Sequence, residues 1–593
     1  MTYQAPVGDI AFALKHAAGL KRVLEEGLYG DLTEDLVDAV LEEAGKFATD
    51  VIAPLNRVGD THGTSFENGA VKMPPGWKEA YKDWAAAGWN GLAASTDWGG
   101  QGLPHLINAA CLEMWQAASK AFALGPMLTM GAAEALAAHG TEALKRTYLA
   151  KLISGDWLGT MQLTEPQAGS DLSALRTKAE RREDGSYRIT GQKIFITYGD
   201  HDLTDNIVHF VLARLPDAPP GTRGISLFLV PKYLVDADGR LGARNDARCH
   251  SVEHKLGIHG SPTCTMVYGD AGGATGFLVG EENRGLACMF TMMNNARLGV
   301  GLEGVALAER ATQQALAYAR ERRQGRAPDA AGPGMSPILM HPDVKRMLLM
   351  MRASTRAARA ICYMTAAAID RSHRERDAAA RERAQQRASL LTPVAKAFST
   401  DVGVEVASLG VQVHGGMGYI EETGAAQHYR DARIATIYEG TNGIQAIDLV
   451  TRKLPLSGGE TVRAFVEELR GSVAAVRAVN DPALGTTAER LAESIESLGR
   501  ATDWLIAELA RRPEAALAGA TPYLRLFGVA AGGCALAEEA LAAMRANGGN
   551  DVAGRIGIAR FFAEHMAVTS GGLEREVIGG ADAILAAQAA LAG

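Results

Sequence analysis

The sequence has few of the residues that build metal centres or disulfide frameworks. Its six cysteines are scattered along 593 residues and include no C-x-x-C pair, so neither a zinc ribbon nor a disulfide scaffold is predicted. His250 and His254 stand four residues apart beside Glu253, but no second group of ligands accompanies them. We therefore expect reduced thiols and no metal site.

An excess of positive charge and long apolar segments are also missing. The net charge is −8, which gives no general attraction to nucleic acid or to anionic lipid. Asp9, Lys15 and His16 interrupt the first twenty residues, where a secretory signal needs an uncharged apolar core. No uncharged apolar run reaches the roughly 18 residues of a membrane span. These absences predict a cytoplasmic protein that binds neither nucleic acid nor a membrane.

The chain is long enough for several structural units, and its composition and periodicity change along its length. An Ala- and Leu-rich region of helical spacing is followed by β-rich runs at 187–190, 193–197, 208–212 and 225–230. Helical periodicity then returns to the C-terminus. We predict an α+β protein with a leader at 1–35, a helical domain at 36–156, a β domain at 157–282, a helical bundle at 283–454 and a helical extension at 455–593.

Gly299 to Gly304 spell G-x-G-x-x-G, the pattern of a dinucleotide-binding turn when it follows a strand and opens a helix. Here the residues on both sides have helical character. We therefore expect that these glycines let two helices pack closely. Any nucleotide is expected to bind elsewhere.

Two glycine-containing turns have the composition of ligand-binding loops. Leu163 to Asp171 combines hydroxyls, a proline and a glycine after a predicted strand, so its N–H groups and hydroxyls can face a polar ligand. Gln412 to Tyr419 contains three glycines, whose missing Cβ atoms let backbone lie against a phosphate or a sugar. Each segment also fits an ordinary structural turn.

One carboxylate near the end of the predicted bundle has the surroundings of a base. Glu439 follows Ile437 and Tyr438 and precedes Gly440, and apolar neighbours raise a carboxyl pKa above its usual value of about 4.3. Proton abstraction from carbon requires such a group. The alternative is a solvated glutamate at a glycine-capped helix end. Arg297 is ambiguous in the same way, since it fits either an ion pair or a phosphate or carbonyl ligand.

Six segments occur in a fixed order along the chain: Trp98 to Gly102, Leu163 to Asp171, Lys193 to Thr197, Glu321 to Arg326, Gln412 to Tyr419 and Tyr438 to Gln445. In order and spacing they resemble the flavin-dependent acyl-CoA dehydrogenase family. The resemblance implies a helical domain, a β-barrel-like middle domain and a second helical bundle, with FAD bound in an extended form. The length and the C-terminal extension are most similar to a long bacterial subgroup that acts on 3-(methylthio)propanoyl-CoA.

The resemblance also implies roles for individual residues. Glu439 is expected to remove the α-proton of an acyl-CoA thioester while hydride passes to FAD, which gives a trans-2-enoyl-CoA. The implied FAD contacts are Leu163, Thr164, Ser170, Phe195, Thr197, Thr441 and Asn442, together with Arg322, Gln412, Gly415 and Gly416 toward the FAD of a partner subunit. The implied substrate contacts are Ser170, Asn294, Arg297, Tyr438 and Gly440. Binding in trans implies a homodimer, and the family implies an electron-transferring flavoprotein as electron acceptor.

Related functions stay open at this point. A medium- or long-chain fatty acyl-CoA dehydrogenase and an acyl-CoA oxidase would share most of these residues, and an oxidase would pass its electrons to oxygen. A DNA-binding flavoprotein of the same fold would need a basic C-terminal surface, whereas the residues after Pro455 include 12 Arg, no Lys and 17 Asp plus Glu. That acidity also favours an extension that covers a tetramer-forming surface over a membrane anchor.

Overall fold

The computed structural model describes residues 3–236, 238–330, 333–546 and 551–592, and its first region is helical. The helices are α1 (Val7–His16), α2 (Leu20–Glu25), α3 (Glu34–Phe47), α4 (Ala53–His62), α5 (Trp77–Ala86), α6 (His105–His139), α7 (Glu142–Leu144) and α8 (Ala150–Ser154). The long helix α6 bends at Ser119, whose φ and ψ are not helical. A short hairpin of β1 (Ser65–Glu67) and β2 (Ala70–Lys72) interrupts the helices, and the sequence pattern does not indicate it.

Ten strands follow α8 and form the β-rich middle of the chain. They are β3 (Leu158–Gln162), β4 (Lys178–Arg181), β5 (Tyr187–Thr197), β6 (Ile207–Arg214), β7 (Ile225–Pro231), β8 (Tyr233–Val235), β9 (Leu241–Arg244), β10 (Ala247–Val252), β11 (Thr263–Tyr268) and β12 (Ala274–Val279). Strands β5, β12, β7, β6 and β4 pair in succession, and β4 pairs back onto β5. These five strands close a ring, which confirms the barrel-like prediction. The runs predicted at 187–190 and 193–197 are one continuous strand.

The helical bundle that follows is built tightly around glycine. Its helices are α9 (Gly285–Glu321), α10 (Pro342–Arg374), α11 (Ala378–His414), α12 (Ala425–Arg433) and α13 (Asn442–Asp448). A Cβ atom at Gly304 would lie 2.1 Å from the carbonyl oxygen of Ser399, and one at Gly301 would lie 2.6 Å from that of Ala395. The G-x-G-x-x-G segment is therefore the interior of a helix, α9, and the close packing predicted for it is confirmed.

The C-terminal extension is helical, as predicted, and packs onto the bundle. Its helices are α14 (Glu460–Val479), α15 (Thr487–Arg511), α16 (Pro513–Ala518), α17 (Ala520–Arg545), α18 (Val552–Phe561), α19 (Ser570–Gly579), α20 (Ala581–Ala586) and α21 (Gln588–Leu591). Asp9 of α1 accepts hydrogen bonds from Arg356 of α10 at 2.7 Å and from Arg555 of α18 at 2.8 Å. Arg555 also donates to Glu539 of α17 at 2.9 Å. These bonds tie the first helix, the bundle and the extension together.

Two helices have the length and mean hydropathy of a membrane span. They are α6 and α17, and 78% and 89% of their most apolar windows are buried within the protein. A helix that is apolar on all sides and covered by protein fits the core of a large protein as well as it fits a bilayer. Both helices belong to the main hydrophobic core.

Candidate active site

Glu439 lies in a short non-helical segment between α12 and α13 that has an unusual backbone. Its φ is +57°, and that of Gly440 is +83°. Left-handed backbone at a non-glycine residue stores strain of about 1–3 kcal/mol and persists only where the surroundings hold it. Thr441 then caps α13, because its Oγ1 accepts a hydrogen bond from the N–H of Ile444 at 3.2 Å. The turn thus presents Glu439 before the helix begins, and the glutamate is not a solvated helix end.

The carboxyl group of Glu439 is enclosed by protein. The residue keeps some solvent exposure, while protein atoms surround its side chain. Burial raises its pKa from 4.5 to about 7, Arg297 and Lys396 oppose this rise, and Glu303 adds to it. The predicted elevation of the pKa is confirmed, and the predicted neighbour Ile437 is itself 48% exposed. A carboxyl with this pKa is suited to general base catalysis near neutral pH.

Lys396 of α11 holds the segment that carries Glu439. Its Nζ donates to the carbonyl oxygen of Gly440 and to Oδ1 of Asn442, both at 2.8 Å. On the other side, Nε2 of Gln445 donates to the carbonyl oxygen of Glu439 at 3.2 Å. Burial lowers the pKa of Lys396 to about 8, so its amine is mostly charged at pH 7. These bonds maintain the strained backbone.

A fully buried group of charges lies behind Tyr438. The carboxylate of Glu303 accepts a hydrogen bond from the Tyr438 hydroxyl and lies 2.9 Å from Nζ of Lys120. Lys120 also donates to the carbonyl oxygen of Asp431 at 2.9 Å. The side chains of Lys120 and Glu303 have no solvent exposure. Through these contacts α6 and α9 are linked to the segment next to Glu439.

The predicted flavin contacts of the β region lie side by side. The N–H of Ile194 donates to the carbonyl oxygen of Thr164 at 3.0 Å, and Nζ of Lys193 donates to that of Leu163 at 3.1 Å. These bonds bring together Leu163, Thr164, Phe195 and Thr197. Phe195 has a φ of +60° and leaves 59% of its surface exposed, so a large apolar ring is available for stacking at this place.

Glu165 fastens the turn that follows β3. Its carboxylate accepts from Nζ of Lys193 at 2.8 Å and from the hydroxyl of Thr177 at 2.6 Å. Burial opposes ionisation of Glu165, but Lys193 and the hydrogen bonds lower its pKa to about 2. Ser170, near the other end of the turn, faces solvent. The turn is both rigid at its base and open at its tip, as a ligand-binding turn requires.

A cavity of about 220 Å³ lies between α6 and α9. Its apolar part is lined by Leu112, Met127, Met130, Gly131, Met292 and Gly299, and its polar part includes Asn108, Glu134 and Asn295. Ala296 also lines it, immediately before Arg297. Arg297 is 9% exposed, and within the described residues its buried Nε has no hydrogen-bond partner. Arg297 is thus a buried cation with an unpaired donor, in the same stretch of α9 as the cavity-lining residues, and its charge acts on Glu439.

The residues predicted to touch the FAD of a partner lie at the other end of the bundle. Arg322 follows the last residue of α9, and Gly415 follows the last residue of α11. Tyr318 stacks on His414 with 4.5 Å between ring centroids, which sets these two ends side by side. The predicted group Arg322, Gln412, Gly415 and Gly416 is exposed. Arg322 lies twenty-five positions after Arg297, which corresponds to about 37 Å along the axis of α9.

Two predicted contacts differ from the rest. The side chain of Asn442 is used within the protein, because its Oδ1 accepts from Lys396 and its Nδ2 donates to Asp401 at 2.7 Å. This leaves its backbone N–H, in the first turn of α13, to meet a ligand. Asn294 belongs to α9, but its side chain lies outside the described part of the structure.

Sequence reasoning missed Lys120, Glu303 and Lys396, the charged side chains that surround the Glu439 segment. Each interrupts an otherwise apolar run, as in Val394-Ala395-Lys396-Ala397-Phe398. An isolated charge on the apolar face of a helix is a signal of a buried partner. The signal does not name the partner, which lies 183 residues away for Lys120 and Glu303 and 44 residues away for Lys396 and Gly440.

Four protein-family models match the chain in succession. They are the acyl-CoA dehydrogenase N-terminal domain at residues 35–156, the middle domain at 160–271, the C-terminal domain at 283–454 and the acetyl-CoA dehydrogenase C-terminal like domain at 460–588. Together they cover most of the described residues. The order of the matches is the order of the structural regions.

Comparison with individual proteins agrees with these matches. The chain is 47% identical over 591 residues to the 3-methylmercaptopropionyl-CoA dehydrogenase of Ruegeria pomeroyi, covering 99% of this chain and 100% of that protein. Its fold is similar to that of Caenorhabditis elegans ACDH-11 in complex with C11-CoA, with a TM-score of 0.77, 21% identity and coverage of 97% and 95% of the two chains. It is also similar to an acyl-CoA dehydrogenase complexed with FAD from Bacillus anthracis, with a TM-score of 0.75, 21% identity and coverage of 93% and 89%.

Proposed function

Because the chain belongs to the acyl-CoA dehydrogenase family, we infer that it is an FAD-dependent enzyme that converts an acyl-CoA thioester into a trans-2-enoyl-CoA. The single observation that carries the chemistry is the Glu439 carboxyl, which a strained left-handed turn presents and whose pKa burial raises to about 7. We propose a division into a leader (1–35), an N-terminal helical domain (36–156), a middle β domain (157–282), a helical bundle (283–454) and a helical extension (455–593). The changes between helical and β structure support the boundaries near 157 and 283.

The residues of the β region fit a flavin. The exposed ring of Phe195, held in left-handed backbone, offers a flat apolar surface next to the Thr164 backbone. We propose that FAD lies against Leu163, Thr164, Ser170, Phe195 and Thr197, with Thr441 and the backbone of Asn442 as further contacts. FAD, when bound, supplies the acceptor for the hydride that leaves Cβ of the acyl group.

In the proposed reaction the Glu439 carboxylate takes the proton from Cα of the thioester. The left-handed turn at Glu439 and Gly440 aims the carboxylate, and Lys396 and Gln445 hold that turn. Substrate binding would exclude the remaining water from the site and favour a reaction in which charge moves from the base to the substrate. Arg297, Tyr438 and Gly440 are the proposed substrate contacts from the described side chains and backbone, with Ser170 at the turn and Asn294 on α9.

The α-proton of a thioester is weakly acidic, so the carbonyl oxygen needs hydrogen-bond donors as negative charge develops on it. Within the described residues, the backbone N–H of Glu439 donates to no protein acceptor. We propose that this N–H binds the thioester oxygen. One such donor is worth about 3–4 kcal/mol in the transition state.

We propose that the acyl chain enters the cavity between α6 and α9, and that the substrate is 3-(methylthio)propanoyl-CoA. Met127, Met130 and Met292 line the cavity, and their flexible, polarisable side chains adapt to a thioether as well as to a short alkyl chain. The 47% identical relative is named for this thioester. Activity with a panel of acyl-CoAs tests the proposed substrate. A higher kcat/KM for a straight-chain fatty acyl-CoA than for 3-(methylthio)propanoyl-CoA would indicate a fatty acyl-CoA dehydrogenase, and peroxide formed at the turnover rate would indicate an oxidase.

The base is tested by Glu439→Gln, with Glu422→Gln, an exposed glutamate, as the matched control. The carboxamide introduced by Glu439→Gln has a similar size to the carboxylate but cannot accept the proton. We expect the Glu439→Gln protein to bind FAD and acyl-CoA but to lose flavin bleaching by at least about 10³-fold, while Glu422→Gln behaves as wild type. Bleaching of the Glu439→Gln variant at the wild-type rate would show that another residue is the base.

We also propose a homodimer in which each FAD contacts both subunits, with an electron-transferring flavoprotein as the electron acceptor and the cytoplasm as the location. The exposed apolar side chains of Met417, Tyr419 and Ile420 lie next to Gly415 and Gly416, and their position supports a second copy at this surface. The separation of about 37 Å along α9 between Arg322 and Arg297, whose charge acts on Glu439, supports a role for Arg322 at a different flavin from the one next to Glu439.

Complementation tests the shared site. Arg322→Ala would weaken FAD binding in the partner subunit, and Glu439→Gln would remove the base of the subunit that carries it. A homodimer of either variant should therefore have little activity. In a co-expressed heterodimer, the subunit carrying Arg322→Ala keeps Glu439 and receives Arg322 from its partner. We expect one working site per heterodimer, whereas recovery of no activity on mixing would place both residues in the same subunit's site.

A further inference from the structure

The G-x-G-x-x-G segment of α9 contains one charged residue, Glu303, that the proposed reaction does not use. The glycines on either side of it allow α9 to approach α11 closely, as the contact of Gly304 with the Ser399 carbonyl shows. Glu303 itself is completely buried. A buried carboxylate is unfavourable unless it is paired, so its partners indicate what it does.

Glu303 has two partners, and one of its oxygens is left without any. Oε2 meets Nζ of Lys120 at 2.9 Å and the hydroxyl of Tyr438. Within the described residues, the buried Oε1 has no hydrogen-bond partner. In a low-dielectric interior such an oxygen acts strongly on nearby charges, and Lys396 and Glu439 are both near enough to respond to Glu303.

We propose that Glu303 is a positioning residue for the base Glu439. It holds Tyr438, and with it the peptide that leads into the left-handed turn, and it places a second negative charge in the interior beside the base. The inference rests on the proposed role of Glu439. Glu303 does not touch the substrate; it acts through Tyr438 and through its charge.

The groups that face Glu439 determine the direction of the effect. Arg297 on α9 and Lys396 on α11 are cations that favour the ionised carboxylate, and Glu303 on α9 is the anion that opposes them. Tyr438 is adjacent and neutral, since burial and Glu303 raise its pKa well above the usual range. If Glu303 is neutralised, only the cations remain, and Glu439 should ionise at a lower pH.

The experiment is Glu303→Gln, with Glu113→Gln as the matched control. Glu113 is 1% exposed and is paired with Arg359 at 2.7 Å and with the Tyr363 hydroxyl at 2.6 Å, which is the same kind of buried pairing at another place. The ionisation of Glu439 is read without turnover by difference infrared titration of its carboxyl band, with Glu439→Gln as the blank. The pH dependence of flavin reduction by acyl-CoA gives the second reading.

We expect Glu303→Gln to move both midpoints to lower pH by at least about half a unit and to lower kcat with little change in KM. Glu113→Gln should leave the midpoints in place. If Glu303→Gln does not fold, it is combined with Lys120→Met, which removes both partners of the pair together, and buried pairs tolerate this better than the loss of one. A smaller downward shift is then expected, because the Lys120 cation is lost as well.

An unchanged or higher midpoint in the folded variant overturns the inference, as does an equal shift in Glu113→Gln. That failure is distinguishable from failure of the proposed function. If Glu439→Gln still bleaches its flavin, Glu439 is not the base. If Glu439→Gln is inactive and the Glu303→Gln midpoint stays in place, the base assignment holds and only the role of Glu303 is wrong.

Discussion

Replacing Lys396 by Met should change the pH at which the enzyme works. Met keeps most of the length of the side chain and removes the ammonium that donates to Gly440 and Asn442 at 2.8 Å. Two effects follow: the strained turn loses its strongest tether, and Glu439 loses a cation that lowers its pKa. The second effect is a rise in the pKa of Glu439, whose direction and size can be measured.

The size follows from the pKa of Glu439, which is about 7 with Lys396 present. Loss of a nearby opposite charge raises a carboxyl pKa by about one unit or more. At pH 7 the ionised fraction of Glu439 would then fall from about one half to about one tenth, so the rate of flavin reduction should fall about fivefold from this cause alone. The deficit should shrink as the pH rises toward about 9, where the carboxyl is ionised in both proteins.

The assay is stopped-flow reduction of the bound flavin by a saturating acyl-CoA between about pH 5.5 and about pH 9.5, a range that brackets both midpoints. Lys232→Met is the matched control, since it removes a part-buried ammonium that pairs with Asp200 at 2.6 Å in the β region. We expect a higher midpoint for Lys396→Met and the wild-type midpoint for Lys232→Met. A midpoint that stays or falls in Lys396→Met would refute the electrostatic reasoning, even if the rate dropped at every pH.

Three further predictions concern stability and the acyl cavity. Glu439→Gln should raise the free energy of unfolding relative to wild type by up to about 3 kcal/mol above pH 7 and by little below pH 4.5. The reason is that the pKa of Glu439 is raised in the folded state, so ionising the buried carboxyl costs stability. Thermal melts across this pH range measure the difference. Gly304→Ala should destabilise the protein by about 1–3 kcal/mol, since its Cβ would lie 2.1 Å from the Ser399 carbonyl oxygen. The control is Gly557→Ala, at an open helical position, which should be neutral or stabilising by up to about 1 kcal/mol in the same melts. Gly131→Val should narrow the cavity and reduce kcat/KM for a longer acyl-CoA at least about tenfold more than for a four-carbon one.

Much of the fold is predictable from the sequence, because helical spacing and short β-rich runs are patterns of neighbouring residues. The change from helical spacing to short β-rich runs near residue 157 predicts the strand that begins at Leu158. The helical flanks of Gly299 to Gly304 exclude a dinucleotide turn, and the structure places the whole segment inside α9. The hairpin of β1 and β2 is missed, since strands of three residues are too short to show a period of two.

The candidate site is only partly predictable, for a physical reason. Glu439 is recognisable because its own neighbours and the glycine after it mark a special turn. Lys396, Lys120 and Glu303 depend on contacts between residues that are far apart in the sequence, and a helical pattern reports that a position is buried without reporting against what. The backbone conformation is also hidden: nothing in the local sequence requires Glu439 itself, before Gly440, to have a positive φ.

The balance of charge around Glu439, the proposed base, gives a physical reason for this arrangement of the site. Arg297, Lys396 and Lys120 are cations, and Glu303 and Glu439 are carboxylates, so the group carries a net charge of +1 when Glu439 is ionised. In the proposed reaction Glu439 takes the proton and loses its negative charge, so the net charge of the group becomes more positive by one unit. In the same step the thioester oxygen becomes negative, and a preorganised positive environment stabilises that charge most at the transition state. A site with the two nearer cations alone would hold Glu439 ionised at lower pH and make it a weaker base. Glu303 therefore limits this loss of basicity, while its carboxylate pairs with Lys120 and Arg297 and Lys396 still act on Glu439.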